Sequence, residues 1–311
     1  MLSRVADNLF WFGRYIERTE HLCRFLRVQY FSSLESPLEI QNEMALHSIM
    51  SMVGMPVEEN HLLEEDVLLV VAMDESNPSS IKSTVQQARE NARGARDLIS
   101  TELFNIVNKF YRFTHDYPEE YYKTRGLYDF TQTNIENCAI IKHNIQNTLL
   151  HDEIWAFINM GLHLERAAQI CRIIISKLEN YYKLEEMKAS ATIMSYQLGV
   201  LLRSCEGLDM YRRTYKTSPV LNNTLEFLVL NPDFPRSILY NITKFQEYLA
   251  EIWPYKQIRK NSIEWKIGRI KEYLTYSTVE DFEKKPIEFV EKTLDYLYNL
   301  TNMLSKEYLS Y

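Results

Sequence analysis

Apolar residues fall at helical spacing along almost the whole chain. From Ser3, a suitable N-cap, Val5, Leu9, Phe12, Ile16 and Leu22 follow mostly three- and four-residue steps, which predicts a helix to about residue 30. Pro37 opens a second helix through Ile40, Met44, Ile49 and Met52, closed by Gly54 and Pro56. Residues 62–73 suit a short helix or a strand, and the helical surroundings favour helix. The cluster Asp74-Glu75-Ser76-Asn77-Pro78-Ser79-Ser80 reads as a turn and N-cap. Helices are then expected over 81–99, over 101–115, and from Pro118 through 149. The second half continues with helices over 151–180, 187–202 and 221–230. A turn lies near Gly207, the stretch Asn231-Pro232-Asp233-Phe234-Pro235-Arg236-Ser237 begins the next helix, and the last two cover 262–276 and 279–308.

One segment recurs. Gly13, Glu17, Arg18, Cys23 and Arg24 reappear as Gly161, Glu165, Arg166, Cys171 and Arg172, and the differences 161 − 13 and 172 − 24 are both 148. Asn77-Pro78 followed by Lys82-Ser83 is echoed by Asn231-Pro232 followed by Arg236-Ser237. The second offset, 231 − 77 = 154, is six more than the first, which a short insertion accounts for, and the two echoes together indicate internal duplication. The expected fold is all-α: two tandem, internally duplicated helical bundles, residues 1–150 and 151–311, packed as one domain of 1–311 with pseudo-two-fold symmetry.

Composition narrows the function. The chain has 311 residues, 46% of them apolar, and a net charge of −7, so its overall field disfavours nucleic acid. The longest apolar run, residues 67–73, is far shorter than a bilayer requires. The N-terminus carries Asp7 and Glu17 within an amphipathic pattern unlike a signal peptide. Cys23, Cys138, Cys171 and Cys205 form no C-x-x-C pair. A cytoplasmic, membrane-free protein with core cysteines is expected.

Glu17 and Arg18 are adjacent on a helix, about 100° apart, so they cannot pair with each other and each must find its partner on another element. One reading makes Glu17, Arg18, Glu165 and Arg166 cross-helix ion pairs of a duplicated interface. The other makes them two polar centres whose Arg forks bind carboxylate or phosphate. Arg14, Glu20 and Arg24 extend the first centre, with Ala168 in the place of Glu20 and Leu162 in that of Arg14 in the second. Arg89, Arg93 and Arg96, with Glu90 and Asn91 between them, put three guanidinium groups on one helical face. Arg203, Tyr211 and Arg212 occupy the comparable part of the other half. No metal site is expected: the one Glu-x-x-His pair, Glu58 and His61, sits beside Pro56 in a loop-like stretch. No phosphate-binding Gly-rich loop or catalytic signature is present, so no cofactor is expected.

These residues carry a resemblance. Met1 through Leu9, Arg14-Tyr15-Ile16-Glu17-Arg18, Asn77-Pro78-Ser79-Ser80, Ala88-Arg89-Glu90-Asn91-Ala92-Arg93, Glu165-Arg166-Ala167, Leu202-Arg203-Ser204 with Tyr211-Arg212, and Phe234-Pro235-Arg236-Ser237 together resemble the bacterial Alpha-E family. The resemblance implies an all-helical protein that accompanies a circularly permuted ATP-grasp protein, with transglutaminase-like or proteasome-like peptidases in the same system. It implies a role in amide or peptide formation, as a helical partner or co-catalytic subunit that binds the ligase or its anionic peptide or phosphate intermediate. The candidate binding set is Arg14, Arg18, Glu20, Arg24, Arg89, Glu90, Asn91, Arg93, Arg96, Arg166, Arg172, Arg203, Tyr211, Arg212, Arg236 and Ser237. The residues leave two alternatives open: an enzyme with Glu17 or Glu165 as general base beside arginine stabilisers, and a plain scaffold.

Overall fold

The computed structural model describes residues 3–34, 39–55, 63–253 and 258–309. Among them every regular element is helical, so the chain is all-α. Pro37, Pro56, Glu58 and His61 lie outside the described residues. The chain divides into two compact units, residues 1–162 and 163–311. The boundary falls inside a helix.

Unit 1 is organised around α1 (Ser3–Leu34), which packs against α2 (Glu39–Met52), α4 (Ile81–Gly94) and α7 (Leu127–Thr148). Because neighbours cover it on several sides, 17 of its 32 residues are buried, charged ones included. Residues 62–73 yield the helix α3 (Glu64–Ala72), whose first turn carries Glu64, Glu65 and Asp66 where the helix dipole favours acids. α4 begins at the Ser80 N-cap but stops at Gly94, short of residue 99. The Ala95 N–H turns back to Asn91 and Ala92, and Ser100 caps a new helix, α5 (Thr101–His115). After α6 (Glu119–Tyr121) the expected long helix is interrupted by a π-helical stretch, Tyr122–Gly126, before α7. There the Tyr117 hydroxyl donates to the Gly126 carbonyl at 3.0 Å.

α8 (Glu153–Glu186) gives its first ten residues to unit 1 and the rest to unit 2. Unit 2 continues with α9 (Ala191–Ser204), α10 (Leu208–Tyr215), α11 (Leu221–Leu225), α12 (Ile238–Ile252), α13 (Ile263–Thr275) and α14 (Pro286–Leu304). α10 was not anticipated, because Gly207 and a run of polar residues mask an eight-residue helix with only Tyr211 buried. The expected helix over 279–308 is split. A short 3-10 turn closed by Thr278 and Asp281 precedes Pro286, which starts α14 where its missing N–H costs nothing.

The second echo changes meaning in the structure. Ser237 is the N-cap of α12 and accepts from Tyr240 N–H, whereas Ser83 is an interior residue whose N–H donates to the cap Ser80. Ser80, not Ser83, has the role of Ser237. The Asn-Pro turns do correspond: Asn77 Oδ1 accepts from Ser79 N–H and Asn231 Oδ1 from Asp233 N–H, each at 2.9 Å.

Candidate functional site

Glu17 and Glu20 lie on the same side of α1, one turn from His21 and Arg24 respectively, and all four side chains are buried. Four ionisable groups cannot be taken out of water unless they satisfy one another. His21 Nε2 lies 3.1 Å from Glu17 Oε1, and Arg24 Nη2 donates to Glu20 Oε1 at 2.6 Å. Lys142, from α7, ion-pairs with both carboxylates and ties α7 to α1. The sequence singled out neither Lys142 nor His21 as a member of this centre. His21, four residues after Glu17, was within reach of helical spacing. Lys142 lies 122 residues from Glu20 with nothing local to mark it.

In both Glu-Arg pairs the acid is sealed and the base is not. Glu17 is 0% exposed and Glu165 1%, whereas Arg18 and Arg166 are half-buried. Arg18 stacks its guanidinium over Tyr15 at 5.5 Å, and Arg14, buried, lies over Trp11 at 4.7 Å. Glu165 accepts from Gln169 Nε2 at 2.7 Å. Nearby in unit 2, the buried His163 Nδ1 meets Asn241 Oδ1 at 2.8 Å. Asn241 Nδ2 already donates to the Pro235 and Ser237 carbonyls, so its oxygen is the acceptor and His163 carries its proton on Nδ1. Arg172 grips the Tyr298 hydroxyl with Nε at 2.9 Å and Nη2 at 2.6 Å.

The arginine face of α4 does not join Glu17. Arg89 donates to Asn108 Oδ1 at 2.9 Å and to Glu90, and lies over Tyr111; Arg96 bonds Ile99 O and Thr101 and lies over Phe104. Arg93 pairs with Glu90, and Asn91 bonds its own helix at Gln87 O. Arg89 and Arg96 thus brace against α5, whereas Arg93 and Asn91 stay on the surface of α4. Ser237 is a helix cap, Arg236 pairs with Glu206, and the buried Tyr211 hydroxyl accepts from Val220 N–H at 3.2 Å. Arg203 sits over Tyr196 at 5.4 Å, and Arg212 is exposed.

Two further groups are set by burial. The thiols of Cys23, Cys138 and Cys171 are pushed well above their ordinary range by desolvation, which makes them inert core residues. Lys177 on α8 is wholly enclosed, and desolvation pulls its pKa down to about 7. Nothing in the sequence distinguished it. Among the described residues no group of three or more His, Cys, Asp or Glu could hold a metal ion, and no helix is long and apolar enough to cross a membrane.

Comparison with known proteins gives one family. Alpha-E, described as a predicted alpha-helical domain with a conserved ER motif, matches residues 1–309. An uncharacterised protein of Mycobacterium bovis is 20% identical over 271 residues, which cover 80% of this chain and 30% of the relative. An uncharacterised protein of Mycobacterium tuberculosis is 19% identical over the same length, with the same coverage. The chain thus spans about 30% of the length of these relatives. No solved structure matches it.

Proposed function

The chain belongs to the Alpha-E family, and from that premise we propose that it is the helical partner of a cytoplasmic ATP-grasp amide or peptide ligase. Arg18 and Arg166 are the residues that meet the ligase or its anionic intermediate. The observation that carries this reading is the division of labour within each Glu-Arg pair. Glu17 and Glu165 are enclosed, while the neighbouring arginines, rotated about 100° around the helix, keep part of their surface in water. A partly exposed arginine on a rigid helix suits recognition of a carboxylate or phosphate. The curated relatives are consistent with partnership, since in them the matching region is a minor part of a much longer polypeptide. We further infer that residues 1–150 and 151–311 descend from one duplicated bundle. The reciprocal approach of Gly13 and Gly161 to each other's helices and the matching Asn-Pro turns support this.

The burial of Glu17, with its carboxylate engaged by Lys142 and His21, favours a structural role for the acid over that of a general base. The test is reconstitution with the ATP-grasp protein of the same host and measurement of ATP-dependent amide formation. Wild type stimulates the reaction and Arg18→Ala, equally helical, does not. Full stimulation by Arg18→Ala overturns the proposal.

A further inference from the structure

Unit 2 contains a cavity of about 450 Å³ between α9, the start of α10 and the loop before α11, lined among others by Tyr196, Gly199, Arg203, Leu208, Arg212 and Pro219. We propose that this cavity is a binding site for an organic carboxylate, gripped by the edge of Arg203. The inference concerns unit 2 residues alone and stands independently of the ligase reading.

Three observations converge on it. First, Arg203 Nε and Nη2 are both buried and have no hydrogen-bond partner, and Arg203 makes no ion pair among the described residues. Nε and Nη2 form the side-on edge of the guanidinium, whose two parallel N–H bonds match the two oxygens of a carboxylate. Arg172 uses the same pair of atoms on Tyr298. A buried donor without an acceptor is costly, and two on one edge mark a place built for an acceptor. Second, the floor is left open by Gly199. It lies in the middle of α9, where Gly is a poor helix former, yet a Cβ there meets nothing within 4 Å. No packing contact explains the glycine, and the space above it does. Third, the walls are fixed. Tyr196 backs the guanidinium at 5.4 Å, Ser195 Oγ donates to the Pro219 carbonyl at 3.0 Å, and the buried Tyr211 hydroxyl accepts from Val220 N–H. Leu208 and Pro219 add apolar surface and Arg212 a second positive charge. A planar acid with an apolar body fits this combination better than a bare phosphate, which would leave those walls unused.

The probes are benzoate, its neutral analogue benzamide, and inorganic phosphate, each titrated at constant ionic strength. The side-chain Nε–H resonance of Arg203 is followed by NMR and assigned by its loss in Arg203→Lys. Benzoate is expected to shift it saturably while benzamide leaves it unmoved. Benzoate affinity, read from the ligand signal, should weaken at least about tenfold in Arg203→Lys, which keeps the charge and loses the fork. Gly199→Leu, which fills the floor and leaves the arginine in place, should weaken it comparably and keeps the test decisive if Arg203→Lys misfolds. An unmoved resonance with benzoate, an equal shift with benzamide, or a response to phosphate alone overturns the carboxylate assignment.

Discussion

Gly13 and Gly161 face each other's helices at the crossing of α1 and α8. A Cβ added to Gly13 would collide with the carbonyl oxygen of Ile158 and sit 3.1 Å from Leu162 N; one added to Gly161 would collide with the carbonyl oxygen of Phe10 and sit 3.1 Å from Arg14 N. The two backbones pass so closely that neither helix has room for a side chain at this point. Main-chain atoms cannot swing aside as the end of a flexible side chain can.

Gly13→Ala and Gly161→Ala are therefore each expected to destabilise the protein by about 2–3 kcal/mol, because overpacking outweighs the gain in helix propensity. Gly199→Ala has open space and should stabilise by up to about 1 kcal/mol. Urea unfolding of the three variants separates close approach from mere helix propensity. Equal effects at all three positions would refute the packing explanation.

Lys142 is the hinge of the buried charge cluster. Lys142→Met leaves Glu17 and Glu20 without the cation they share and should cost about 3 kcal/mol. In a Glu17→Gln, Glu20→Gln background the same change should cost at least about 1 kcal/mol less, because the stranded charges are gone. Additive losses in chemical denaturation would mean that Lys142 acts through its stem and not its charge.

Lys177 gives the pH dependence. Its folded pKa of about 7 lies below the unfolded value of about 10.4. Between these limits the unfolded chain binds the extra proton, so stability rises with pH, and below pH 7 the full penalty of the buried charge is present. Lys177→Met removes the penalty. Its stability relative to wild type should be greater at pH 6 than at pH 9 by on the order of 2 kcal/mol. A difference independent of pH would show that Lys177 stays protonated in the fold or titrates with its ordinary pKa.

Much of the fold was legible because it depends on local signals. Ser80, Ser100, Ser237 and Ser262 all cap helices by accepting from the residue three positions on, as hydroxyl side chains before an apolar run should. Gly13 and Gly161, which recur at the fixed offset, both make a close helix approach. The errors arose where distant residues decide. Gly94 abuts the Asn8 side chain at the end of α4, the Tyr117 hydroxyl bonds the Gly126 carbonyl at the end of the π-helical stretch, and Arg89 and Arg96 turn to α5, where Asn108, Tyr111 and Phe104 lie. Lys142 carries no periodic or motif signal that links it to Glu17.

The central claim is that the arginine of each Glu-Arg pair meets a partner while the glutamate holds the fold. Affinity capture of the tagged protein from its own host tests it most directly, with wild type set beside an Arg18→Ala, Arg166→Ala variant of equal helicity by circular dichroism. The account predicts that an ATP-grasp protein is retained by wild type and lost from the variant. Retention by both, or no ATP-grasp protein with wild type, would contradict it.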